Sequence, residues 1–193
     1  MMELSFRKID GIVLTHEHYD HVGGLDDLRP FGKFGKIKIY AEENVADALR
    51  NRMPYCFMEY KYSGVPNLEI VEIDTSPFSI GHIDLTPIRV YHHKLPILGF
   101  RIGNFAYLTD VKTIPNHELT KLEGLDLLVV SALRRQTHIS HQNLDEAIEL
   151  INKINPKSAY LTHISHEMGL HAEVEKELSE NIHLAYDGLQ INL

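Results

Sequence analysis

Apolar and polar positions alternate or recur along the chain at spacings that predict a mixed set of strands and helices. Ile12, Val13 and Leu14 form a short β-rich run, so Gly11–Leu14 is predicted as a buried strand. Asn44–Arg52 is predicted as a helix with Asn44 as its N-cap. Leu68–Ile73 and Ile83–Val90 are predicted as strands. Leu98–Ile102 and Phe105–Leu108 flank Gly103-Asn104, a turn pair, and are predicted as a hairpin. Pro115–Leu122 reads as a helix with proline in its first turn, and Leu125–Ser131 as a buried strand. Leu144, Ala147, Ile148, Ile151 and Ile154 form one stripe at helical spacing, which predicts a helix over Leu144–Ile154. Lys157–Leu161 is a predicted strand and Glu173–Leu178 lies in a predicted helix. Ile182–Ala185 and Leu189–Ile191 are predicted to pair around Asp187-Gly188. Strands come in hairpins early and alternate with helices late, which points to a mixed α/β domain. Neither a linker nor a low-complexity segment interrupts the 193 residues, so a single domain over 1–193 is expected.

Composition narrows the class. Apolar runs such as Leu125–Val130 are far too short to span a bilayer, so no membrane association is expected. With no basic-then-apolar segment at the front, the expected location is cytoplasmic. One cysteine, Cys56, excludes intrachain disulfides and cysteine-based zinc sites. A net charge of −8 argues against a general grip on nucleic-acid phosphates, but bound metal would reverse the sign locally for a small anionic substrate.

Histidine changes the picture most: there are 13, and they cluster. His16, His18 and His21 with Asp20 place three imidazoles and a carboxylate within six residues. Neutral imidazole nitrogen and carboxylate oxygen are the donors that borderline divalent metals accept. His16 and His18 are two apart and face one way in extended chain, whereas Asp20 and His21 must face differently. One stretch can therefore serve two metals. Several strand ends repeat a second pattern. Ile12 to Thr15 runs into His16, Phe105 to Thr109 into Asp110, Ala159 to Thr162 into His163, and Ile88 to Tyr91 into His92. Strands ending together at one sheet edge would gather these groups. Either His92 or His93 could point inward. The string Thr-His-Ile-Ser-His occurs at Thr137–His141 and again at Thr162–His166. His166 and His171 could contact substrate or cap the following helix. The aromatic segment Arg50–Tyr62 could be a lid, core packing or a dimer contact.

The run from His16 to His21, followed by Gly23-Gly24, resembles the signature of the metallo-β-lactamase-fold hydrolases. The later Tyr91-His92-His93-Lys94-Leu95, Leu108-Thr109-Asp110, His141 before Asn143-Leu144, Leu161 to His166 and Tyr186-Asp187-Gly188 resemble the cyclic phosphodiesterase branch of the carbon–phosphorus lyase pathway. The resemblance implies an αββα sandwich holding two divalent metal ions, Zn, Mn or Fe. His16, His18 and His92 would hold one, Asp20, His21 and His163 the other, and Asp110 would bridge them. It places His141 over the substrate as proton donor or phosphate contact, with His138 as rival and His166 as a further substrate contact. Members of this fold carry a longer segment before the histidine motif, with a glycine-rich motif and several strands. Here Met1–Ile9 precede the first strand, so the chain is expected to be N-terminally truncated. A sheet missing its first strands would expose an edge, and a homodimer is a corresponding expectation.

Two dications bridged by Asp110 would share a water and lower its pKa, giving a hydroxide nucleophile. The expected activity is hydrolysis of a small, possibly cyclic, phosphodiester. A carboxylic ester, thioester or lactone hydrolase on the same centre, and an inactive metal-binding module, remain alternatives.

Overall fold

A computed structural model describes residues 7–192 apart from 59, 61 and 63. Residues 1–6 of the leading stretch Met1–Ile9, and two positions of the aromatic segment Arg50–Tyr62, therefore lie outside the described residues. The architecture is mixed α/β, as the hydrophobic pattern predicts. The chain packs as two compact units, Met1–His82 and Ile83–Leu193.

The first unit holds a parallel sheet in the order β1 (Ile12–Val13), β2 (Ile37–Ala41), β3 (Leu68–Glu72), with Ile12 opposite Ile39 and Ile39 opposite Ile70. Ile37 and Ile39 are buried while Lys38 between them is exposed, the period-2 alternation of a strand. The sequence reading missed β2, because Ile37 and Ile39 give only one repeat of that alternation. A one-turn helix α1 (Tyr19–Val22) and the 3-10 segment Gly23–Phe34 precede it. Helix α2 (Glu43–Arg52) buries Val45, Ala46 and Leu49 on one side. Its N-cap is Glu42, not Asn44. Acidic Glu43 in the first turn and basic Arg50 and Arg52 in the last complement the helix dipole, so the helix starts earlier than expected without a side-chain cap. Leu14, Val22, Leu25, Met53 and Cys56 complete this core, and strand β4 (Phe78–Ile80) follows.

The second unit runs β5 (Ile83–His92), β6 (Leu95–Ile102), β7 (Phe105–Leu108), β8 (Leu127–Ser131), α3 (Leu144–Ile154), β9 (Ser158–Thr162), α4 (His171–Val174) and β10 (Ile182–Leu184). The strands lie in the order β10-β9-β8-β7-β6-β5. β5, β6 and β7 are antiparallel neighbours, and β7 to β10 are parallel. Strands β5, β7, β8 and β9 thus all end at the same edge, which is what brings the strand-end residues together. Helix α3 lays Leu144, Ala147 and Ile151 on the core and is fixed by a capping box between Asn143 and Glu146.

Three further expectations need correction. Pro115–Leu122 forms no α-helix: Pro115 is the N-cap of a 3-10 helix, Asn116–Leu122, followed by extended Glu123. The region Glu173–Leu178 divides into α4 and a 3-10 turn, Glu175–Glu177. Ile182–Leu184 does not fold back on Leu189–Ile191. It joins β9 in parallel, with Leu184 opposite Leu161, so the outer partner comes from the sheet and not from the turn at Asp187-Gly188.

Candidate metal centre

In the first unit, the chain leaves β1 and enters α1 through the histidine motif. His16 is fully buried, and a 3.0 Å hydrogen bond links its Nδ1 to Thr15 Oγ1. Its ring lies 4.5 Å from that of His18 and 4.3 Å from that of His21, centre to centre. His18 is the N-cap of α1, and its carbonyl accepts from the backbone N–H of His21 and Val22. That turn separates the directions of His18 and Asp20. His21 Nε2 lies 3.3 Å from Asp20 Oδ2. Arg52 donates to the carbonyl of Glu17 at 2.7 Å and so braces the motif from α2.

In the second unit, the strand ends deliver His92, Asp110, His141 and His163. His92 closes β5 and is buried, while His93 is exposed in the tight turn to β6 with φ of +56°. His92 Nδ1 lies 3.1 Å from the Asp110 carbonyl and 2.9 Å from that of Ser140. Carbonyls only accept, so Nδ1 carries the proton and Nε2 the lone pair. This is the tautomer in which a metal-binding histidine is usually oriented.

Asp110 is 2% exposed. Its Oδ1 accepts from Thr109 Oγ1 at 2.9 Å and lies 3.2 Å from His163 Nε2. Its Oδ2 lies 3.9 Å from His141 Nδ1. Both Asp110 and His163 have φ of +56°, a left-handed backbone uncommon outside glycine. The His141 ring packs 4.4 Å from His92, 5.0 Å from His138 and 5.1 Å from His163. Burial pushes the His141 imidazole down to about 4; the Asp110 carboxylate opposes this, and His92, His163 and His138 add to it. His138 Nδ1 accepts from the Ser140 N–H at 3.3 Å. His166 stands exposed at the start of the 3-10 helix His166–Met168, outside this ring stack.

These donors fit a divalent cation. Asp110, His141 and His163 each offer a ligand atom, and the three lie within 4.8 Å of one another. His141 Nδ1 is buried with no hydrogen-bond partner among the described residues. A carboxylate and imidazoles without sulfur suit Zn and Mn alike. The sequence reading missed the supporting residues Thr15, Arg52 and Thr109. Thr15 and Thr109 directly precede a ligand candidate, whereas Arg52 reaches the motif from 35 residues away.

Comparison with known proteins places the chain. The family described as "Beta-lactamase superfamily domain" matches residues 2–164. A crystal structure described as a new diphosphatase from the PhnP family superposes with a TM-score of 0.88 at 34% identity, covering 96% of this chain and 72% of that one. An octanoyltransferase of Porphyromonas gingivalis is 42% identical over 94% of this chain, which spans 37% of that protein. A hydroxyacylglutathione hydrolase of Psychromonas ingrahamii is 32% identical over 53% of this chain and 32% of that protein. The fold is that of the metallo-β-lactamase class. The chain belongs to the beta-lactamase superfamily. Among the described residues, no helix is long and apolar enough to cross a membrane.

Proposed function

We propose that this chain is a dinuclear metal-dependent phosphodiesterase acting on a small, possibly cyclic, phosphodiester. The observation that carries the reading is the buried Asp110 carboxylate, with His163 Nε2 at 3.2 Å and His141 Nδ1 at 3.9 Å. The likeness to the diphosphatase supports phosphorus over carbon as the electrophile. In this reading His16, His18 and His92 hold one metal, Asp20, His21 and His163 the second, and Asp110 is shared. Zinc or manganese bound there would supply Lewis acidity toward phosphoryl oxygens and bring the pKa of a water toward neutrality. The protein's own part is to fix the donors. Thr109 orients the Asp110 carboxylate, and the Ser140 carbonyl sets the His92 tautomer. His141, with His138 beside it and His166 further out, is assigned to substrate contact and to delivery of a proton to the leaving alkoxide.

Thioester hydrolysis on the same centre is the second reading. The hydroxyacylglutathione hydrolase relative favours it, since an acyl-glutathione is a thioester. Purified protein loaded with Zn or Mn should hydrolyse bis(p-nitrophenyl) phosphate faster than a thioester of matched leaving-group acidity. His18→Ala should abolish turnover. Thioester turnover alone would replace the first reading with the second, and no turnover of either substrate with any metal would refute both.

A further inference from the structure

Asp110 holds a left-handed backbone, a conformation that persists in a non-glycine residue only where its surroundings enforce it. His92 Nδ1 holds the Asp110 carbonyl at 3.1 Å, and the further enforcing contacts fall on Val111. Val111 is fully buried, and its carbonyl accepts from the Gln142 N–H at 2.9 Å. Its own N–H finds no carbonyl in the strand ladder, because the pairing of β7 with β8 ends at Leu108 and Val130. A buried amide without water needs an acceptor. The Ser131 hydroxyl supplies it, with Oγ 3.1 Å from the Val111 nitrogen.

Ser131 is fully buried and closes β8, the strand between the two that lead to Asp110 and His163. Its register partner is Thr162, the residue just before His163. One small hydroxyl therefore sits at the junction of both strained strand exits. We propose that Ser131 is the positioning residue of this centre: by accepting the Val111 N–H it fixes the Asp110 backbone, and through that carboxylate it sets metal affinity. The inference rests on the reading that Asp110 binds metal.

The test is zinc affinity of the full chain, stripped of metal and titrated against a chromophoric chelator, with thermal melting of the stripped protein alongside. Ser131→Ala should weaken zinc binding about ten-fold or more, the scale of a lost supporting contact to a ligand. Ser131→Thr, which keeps the hydroxyl, should restore most of it. In an Asp110→Asn background, Ser131→Ala should weaken the residual binding far less, because the two act in series. A lower melting temperature with unchanged zinc affinity would make Ser131 a purely structural residue and overturn the proposal. An equal loss in both backgrounds would do the same. Should Ser131→Ala not fold, Ser131→Cys carries the test with its weaker acceptor, and affinity equal to the parent's overturns it. Absence of zinc binding by the parent is a different failure, which removes the metal reading itself and this inference with it.

Discussion

The Glu118 carboxylate accepts the backbone N–H of Arg89 at 2.9 Å, and the same oxygen lies 2.9 Å from Lys121 Nζ. Glu118 is only 5% exposed. It ties the 3-10 helix Asn116–Leu122 to β5, the strand that ends in His92. Glu118→Ala leaves the Arg89 N–H without its acceptor, and urea denaturation should show a loss of about 1–3 kcal/mol.

The same pair predicts a pH dependence. Burial alone would raise the Glu118 carboxyl, but the Lys121 ammonium and the Arg89 N–H outweigh it and hold the group below its ordinary value of 4.5. A carboxyl depressed in the folded state contributes stability that is fully present above 4.5 and is lost as pH falls through the folded value. The stability gap between the parent and Glu118→Gln should therefore be constant near neutrality and narrow in acid. A gap that widens toward acid would contradict the assignment.

Much of this was legible in the sequence where one force dominates. The stripe from Leu144 to Ile154 becomes α3 with the expected limits, because a 3.6-residue apolar period and an Asn cap agree. The apolar strands that run into Asp110 and His163 do end at one edge, since β7, β8 and β9 are parallel neighbours. The failures lie where tertiary pairing decides. Ile182–Leu184 looks like half of a hairpin, yet a parallel partner, β9, takes it. Ser131 reads as the unremarked end of a strand, and its role exists only because Val111 lands beside it. His92 and His93 are equivalent as letters; a two-residue turn buries the first and exposes the second.

The Asn143 cap should be measurable by itself. Its side chain accepts the Glu146 N–H at 2.9 Å, and Glu146 Oε2 accepts the Asn143 N–H at 2.9 Å. Lys112 Nζ holds Glu146 from outside the helix at 2.8 Å. Asn143→Ala should lower unfolding free energy by about 1 kcal/mol.

Among the glycines of the second unit, Gly99 has the least room for a side chain. A Cβ there would run into the Leu108 side chain and stand 3.0 Å from the Tyr107 carbonyl. The side chain has some freedom, but the carbonyl belongs to β7 and cannot retreat without moving Thr109 and Asp110. Gly99→Ala should destabilise by about 1–3 kcal/mol, as overpacking does. Zinc affinity should fall with it. A variant that melts lower but binds zinc like the parent would show that β7 absorbs the strain before reaching Asp110.

Metal should stabilise the fold through the same carboxylate. Ligand binding to the folded state alone adds about 2.7 kcal/mol at a hundred-fold excess over Kd. Protein stripped with a chelator should melt lower and recover on addition of zinc or manganese. Asp110→Asn separates the two contributions of this residue. It removes a buried charge from a site 2% exposed, so the stripped variant should melt close to or above the stripped parent. On the proposed reading it also removes an anionic ligand, so the rise on adding metal should shrink sharply. His163→Ala should blunt that rise as well, because it deletes the imidazole 3.2 Å from Asp110 Oδ1. If both variants keep the parent's full metal-induced rise in melting temperature, the cation binds elsewhere and Asp110 is a structural aspartate.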